Sequence, residues 1–138
     1  MKTTIEMVEE FIETYKKDEN HGVKDVPSIL DNDVNKLCVT LIEEELRELI
    51  EALHDKNPLE VLDALTDIQY TLDFAYLRLG FHNVKQDAFV EVHRSNMSKL
   101  DVDGKPIHNE AGKVQKGPNY FKPNLQQFID RLEKARSI

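Results

Sequence analysis

From Val34 to His54 apolar side chains return every three or four residues, at Val34, Leu37, Cys38, Leu41, Ile42, Leu46, Leu49 and Leu53. That spacing marks one face of a long amphipathic helix, and it is the strongest periodicity in the chain. A stripe of this length must be covered, and the next segment supplies the cover. Asn57 is placed to cap a new helix, Pro58 suits its first position, and Glu60 falls in its first turn. The helix so begun runs to Leu79, with Gly80 as its stop. It is apolar on two sides, with Val61, Leu65, Ile68, Leu72 and Leu79 on one and Leu59, Tyr70, Phe74 and Leu77 on the other. A helix of this kind is covered twice, which points to burial against another subunit.

The remaining segments extend the helical theme. Thr3 to Lys17 carries Ile5, Val8, Phe11, Ile12 and Tyr15 at helical spacing, and Thr3 with Glu6 has the form of a capping box. Asp18 to Asp33, with Gly22 and Pro27, reads as a connecting loop placed to fold over a site. A fourth helix is expected from Asn83 to about Met97, with Ala88, Phe89 and Val92 facing inward. Between Leu100 and Pro123 the period is lost, and Asp103-Gly104 and Ala111-Gly112 signal turns of a short hairpin or ordered loop. A last helix is expected from Asn124, with Leu125, Phe128, Ile129 and Leu132 on its apolar face. No internal repeat is apparent. The expectation is one all-α domain over residues 1–138, an oligomeric bundle of four to five helices with a short hairpin or ordered loop near the C-terminus.

Composition narrows the function. Of 138 residues, 40% are hydrophobic and 32% charged, with five Gly and five Pro, so the chain is neither collagenous nor disordered. Eighteen Lys and Arg against 26 Asp and Glu give a net charge of −8, a poor balance for gripping a nucleic-acid polymer. Nothing in the N-terminal stretch resembles a signal peptide, and no later run is long enough to span a membrane. The single cysteine, Cys38, excludes an intramolecular disulfide and a Cys-based zinc site, and it falls on an apolar arc where a core role suits it better than nucleophilic chemistry. A cytoplasmic setting is expected.

Acidic residues interrupt the apolar arc of the Val34–His54 helix. At about 100° per residue, Glu45 and Glu48 fall inside the arc, Glu44 lies at its margin, and Glu43 and Arg47 fall outside. A carboxylate on a buried face must be paired, protonated or bound to a cation. In the following helix Glu60, Asp63 and Asp67 line one stripe beside Tyr70 and Phe74. If the two helices form an antiparallel hairpin around His54 to Asn57, Glu48 and Asp63 lie equally far from the turn, as do Glu45 and Asp67. Four carboxylates then meet at one level. An oxygen-only set without histidine suits Mg²⁺, with Mn²⁺ as a substitute, and such ions take phosphate oxygens as further ligands. A solvated acidic face accounts for Glu43, Glu51 and Glu60 better than for Glu45 and Glu48.

The segment from Arg94 to Lys122 is locally cationic, with Arg94, Lys99, Lys105, Lys113, Lys116 and Lys122 against Asp101, Asp103 and Glu110. Lysines there can neutralise polyphosphate, with Ser95 and Asn96 as further donors, although a solvated loop is the better reading for each of them except Lys99 and Lys116. Lys99 and Lys116 are the two singled out. The five histidines show no ligand spacing, and neither a P-loop nor a dinucleotide fingerprint is present.

Glu44-Glu45-Leu46-Arg47-Glu48-Leu49, followed by Leu62-Asp63-Ala64-Leu65-Thr66-Asp67-Ile68, resembles the two acidic motifs of the all-α nucleoside triphosphate pyrophosphohydrolases. That superfamily includes MazG-like and phosphoribosyl-ATP pyrophosphohydrolase-like proteins, and the stretches EVHRSNMSKL, DGKP and KGPNYF are similar to the latter branch. The resemblance spans most of the chain. It implies Mg²⁺-dependent cleavage between the α- and β-phosphates of a nucleotide, and assembly into homodimers or homotetramers. By the same pattern Glu45, Glu48 and Asp67 are expected metal ligands, and Glu44 a ligand or the base that activates water. The second motif departs from the usual ExxD, because Ala64 stands where Glu is expected. Asp63 is the candidate replacement, ahead of a literal Glu60–Asp63 pairing. Lys99 and Lys116 are expected to clamp phosphate, and Asn96, Asn119 and Tyr120 to contact base or sugar.

The function expected from this reading is pyrophosphohydrolysis of a (deoxy)nucleoside triphosphate in nucleotide-pool cleaning, dUTP included, with Glu44 and Glu48 in catalytic roles. Its rivals are phosphoribosyl-ATP hydrolysis and a non-catalytic helical interaction protein, for which Ala64 is the best support. A di-iron bundle lacks its Glu-x-x-His elements here.

Overall fold

A computed structural model describes residues 1–136. Among the described residues it contains five α-helices: α1 (Thr4–Tyr15), α2 (Asn32–His54), α3 (Pro58–Leu79), α4 (Lys85–Met97) and α5 (Gln126–Arg136). The chain divides into two compact units, Met1–Asn83 and a second beginning at Val84. No described helix is long and apolar enough to cross a membrane.

The helix boundaries of the first unit follow from local chemistry. Thr3 and Glu6 form the expected capping box at α1. Asp31 caps α2, its side chain accepting from the N–H groups of Asp33 and Val34. Asn57 caps α3 through the N–H of Glu60, and Pro58 occupies the first turn. Gly80 ends α3 in the left-handed region at φ 84°. The short turn between His54 and Pro58 folds α2 and α3 into an antiparallel hairpin, and α1 packs against α3. Val8, Ile12 and Leu77 form the core of the α1 and α3 pairing, with Ile5, Val23 and Phe74 around it. Cys38 is buried at 2% exposure, in the small-core role expected of it.

The loop after α1 has a definite anchorage. Lys24 and Ser28 donate backbone N–H bonds to Leu77 and Leu79, each at 2.9 Å, and Arg78 Nη1 donates to the Gly22 carbonyl at 2.6 Å. The first two bonds satisfy carbonyls that the end of α3 leaves without helical partners, and the third ties the loop back to an α3 side chain. The anchored stretch therefore closes the C-terminal end of α3, about 15 Å along the helix from Asp67.

Large apolar side chains remain exposed on this unit. Leu46, Ile50 and Leu53 recur along α2, and Leu62, Leu65 and Leu72 along α3, all at 45% exposure or more. Leu65 and Leu72 belong to the first of the two apolar sides expected of α3, Leu62 falls on neither, and α2 carries a row of its own.

In the second unit α4 departs from its expected inward face at Phe89, while Ala88 and Val92 are partly buried. Phe89 is 70% exposed, whereas Glu91 and Ser95 are buried. The carboxylate of Glu91 accepts from Arg94 Nε at 2.9 Å and from the Asn124 backbone N–H at 2.7 Å, and Ser95 Oγ donates to the Phe121 carbonyl at 2.8 Å. Polar groups so satisfied are buried at little cost, and they dock the stretch around residues 121–124 on α4. The guanidinium of Arg94 lies 4.3 Å from the centre of the Phe121 ring, and Arg131 of α5 pairs with Asp87 of α4 at 2.7 Å. Asn124 caps the start of α5 through the N–H of Gln127, and Phe128 and Leu132 are its buried residues.

Between α4 and α5 the chain is an ordered loop with one antiparallel bridge, His108 to Val114. It contains one turn built twice. Asp101 Oδ1 accepts from the N–H groups of Asp103 and Lys105, and Asn109 Oδ1 from those of Ala111 and Lys113. Gly104 and Gly112 take equivalent left-handed conformations, at φ 74° and 82°. The two turns are the same device used twice, and a lysine follows the glycine in each.

Candidate active site

The antiparallel hairpin brings the acidic residues of α2 and α3 together. Glu45, Glu48 and Asp67 each offer a carboxylate oxygen, and the three oxygens lie within 4.8 Å of one another. Glu45 and Asp67 are half-buried, and Glu48 is exposed at the mouth of the group. The register responsible is the one expected from the turn, with Glu45 opposite Asp67.

Burial pushes the Glu45 carboxyl up to about 7 from its ordinary 4.5, and the neighbouring carboxylates of Glu48, Asp67 and Asp63 add to the rise. Asp67 is also raised, first by burial and then by the charges of Asp63 and Glu48. Glu45 Oε2 is buried and has no hydrogen-bond partner among the described residues. A buried acceptor without a donor, beside two further carboxylates, is a set of groups that a cation would satisfy. All the donors are hard oxygens, which fit Mg²⁺ or Mn²⁺.

The other acidic candidates lie outside this group. Asp63 is exposed, and although its charge is felt by Glu45 and Asp67, none of its oxygens is among the three that converge. It lines an acidic hollow of about 430 Å³ toward the hairpin turn, with Glu48, Glu51, Asp55 and Glu60. Glu44 is exposed on α2 and is not part of the converging set. Ala64 is 1% exposed, so the residue standing at the motif's usual Glu position is a buried methyl group.

The remaining candidates belong to the second unit. Asn96 is exposed near the end of α4, and Lys99 follows that helix, half-buried. Lys116 is held over the Tyr120 ring, 4.7 Å from its centre, and Asn119 is exposed beside it. Lys99 and Lys116 line one hollow together with Lys113, Val114 and Gln115. Lys113 was not singled out from the sequence. Its signal was the repeated Asx–Gly–Lys turn, in which Lys113 holds the position that Lys105 holds in the first copy.

Residues 8–96, more than half of the chain, match the phosphoribosyl-ATP pyrophosphohydrolase family, which lies within the MazG-like all-α superfamily. The matched segment contains both acidic stretches and every carboxylate of the converging group. No curated protein matches the chain significantly.

Proposed function

Because the chain belongs to the phosphoribosyl-ATP pyrophosphohydrolase family, a family of acid-anhydride hydrolases, we propose that it is a metal-dependent pyrophosphohydrolase. Its substrate in this reading is a (deoxy)nucleoside triphosphate, dUTP among those to try first, cleaved to the monophosphate and pyrophosphate in nucleotide-pool cleaning. The observation that carries the reading is the convergence of Glu45, Glu48 and Asp67, with a buried carboxylate oxygen left without a partner.

Bound Mg²⁺ or Mn²⁺ would neutralise phosphate oxygens and lower the pKa of a coordinated water. Glu45 and Asp67, fixed on facing helices, and Glu48 at the mouth are the residues to hold it, with Asp63 as an outlying fourth carboxylate. Glu44 and Glu48 are the groups to orient the attacking water and accept its proton. Lys99 and Lys116 are assigned to the negative charge of the polyphosphate, and Asn96, Asn119 and Tyr120 to base or sugar contacts. The exposed apolar rows of α2 and α3 support a homodimer or homotetramer, working in the cytoplasm.

A second reading is phosphoribosyl-ATP as the substrate, favoured by the description of the matched family. Pyrophosphate release from NTPs, dNTPs and phosphoribosyl-ATP, each with Mg²⁺, Mn²⁺ or EDTA, tests both. Metal-dependent release from one compound names the substrate. No release from folded protein with any of them supports the non-catalytic interaction protein instead.

A further inference from the structure

In a chain of net charge −8, one hollow of the second unit is lined by Lys99, Lys113 and Lys116 and by no carboxylate. None of the three lysines forms an ion pair among the described residues. Two features of the backbone bring these three lysines to one hollow.

The first is a close backbone approach. Gly117 N–H donates to the Lys99 carbonyl at 2.9 Å, and a Cβ on Gly117 would stand 2.1 Å from the Leu100 carbonyl oxygen. Only glycine fits there, and that contact seats Lys116 next to Lys99. The second is the clamp on Lys113. Its N–H donates to Asn109 Oδ1 at 2.9 Å, its carbonyl accepts from Asn109 N–H at 2.9 Å, and Gln115 Nε2 donates to the same carbonyl at 3.0 Å. The far end of the loop is pinned beside the end of α4, at Gly117 through Lys99 and at Phe121 through Ser95 and Ser98. Lys105, its counterpart in the first turn, does not line the hollow.

We propose that Lys99, Lys113 and Lys116 form an anion seat that binds the diphosphate group without a metal ion. A diphosphate offers several anionic oxygens across a span that three ammonium groups can share, whereas a monovalent anion engages one of them. The choice of diphosphate as the ligand class rests on the hydrolysis proposed above, and the seat itself rests on the lysine geometry.

The test is calorimetric titration of the full chain with inorganic pyrophosphate in EDTA, with inorganic phosphate and acetate as comparators. Saturable binding of pyrophosphate is expected, weakening steeply as salt is added. Lys99→Gln and Lys113→Gln should each lower the affinity about tenfold, Lys113→Arg should retain most of it, and Lys105→Gln should leave it unchanged. Glu48→Gln should bind pyrophosphate like the native chain, which separates the seat from the carboxylates. Binding that requires Mg²⁺, or that falls equally in Lys105→Gln, overturns the proposal, as does no binding at all. Circular dichroism shows which variants fold, and the Lys113→Gln and Lys113→Arg pair decides the matter if Lys99→Gln does not. A nucleoside diphosphate that binds more tightly than pyrophosphate identifies a nucleotide tail as the occupant, and equal affinity identifies the free inorganic anion. Pyrophosphate binding in a chain that hydrolyses nothing upholds the seat against the proposed activity, and hydrolysis without metal-free binding does the reverse.

Discussion

Glu45 on α2 and Asp67 on α3 each contribute an oxygen to a group of three carboxylates within 4.8 Å, and both are held above their ordinary pKa by burial first and by neighbouring carboxyl groups second. The folded chain therefore holds these protons more tightly than the unfolded chain. For Glu45 the resulting stability is fully present below about 4.5 and is lost as the pH rises through about 7. Without divalent cations, the melting temperature is expected to fall between these limits. Adding Mg²⁺ or Mn²⁺ at pH 8 should restore it, because a bound cation compensates the same repulsion. Thermal melts across pH, with and without each cation, check this, and Glu45→Gln should remove most of both effects. A cation response unchanged in that variant would separate the metal from this site.

Glu48 differs from its two partners in being exposed. Its replacement by Gln leaves packing untouched, so stability should change by no more than about 0.5 kcal/mol. Turnover on the native substrate should fall by about two to three orders of magnitude if the carboxylate carries the proposed role. Asp63→Asn, which alters a charge felt by the group but outside it, should cost about tenfold or less. Steady-state pyrophosphate release for the two variants measures the contrast, and equal losses would bring Asp63 into the converging set.

The α2 and α3 hairpin was legible because its signals are local. Asn57 and Pro58 mark the turn, Gly80 the stop, and counting outward from the turn pairs Glu45 with Asp67. The inward face of α4 was legible only at Ala88 and Val92. Periodicity counts apolar residues, so it chose Phe89, and it could not register that Glu91 is satisfied by a backbone N–H 33 residues away and Ser95 by a carbonyl 26 away. Lys113 was lost among six cations of the Arg94–Lys122 segment, since its distinction is a clamp of hydrogen bonds from Asn109 and Gln115.

The strap after α1 depends on Gly80. A methyl group there would stand 1.8 Å from the Val26 carbonyl oxygen, and the residue's φ of 84° already disfavours any other side chain. Gly80→Ala should destabilise the chain by at least about 2 kcal/mol, through left-handed strain and the displaced strap. Hydrogen exchange at Lys24 and Ser28, whose N–H groups bond to Leu77 and Leu79, should accelerate before the rest of the unit responds. Unchanged protection at both amides would mean that the strap tolerates the methyl group.

Leu46, Ile50 and Leu53 of α2 stand at 48%, 60% and 56% exposure, with Leu62 and Leu65 of α3 at 64% and 51%. Rows of this size are normally covered in a soluble chain, and a second copy supplies the same rows in return. Sedimentation is expected to give a dimer or tetramer. Ile50→Glu places a charge in the α2 row without touching the buried residues of the unit, so it should shift the chain toward monomer while the helical signal persists. A wild-type chain that sediments as a monomer at micromolar concentration would remove the oligomer from the proposed function. An oligomer indifferent to Ile50→Glu would instead move the contact to another surface, with Met7, Phe11 and Tyr15 of α1, all exposed, as the next row to charge.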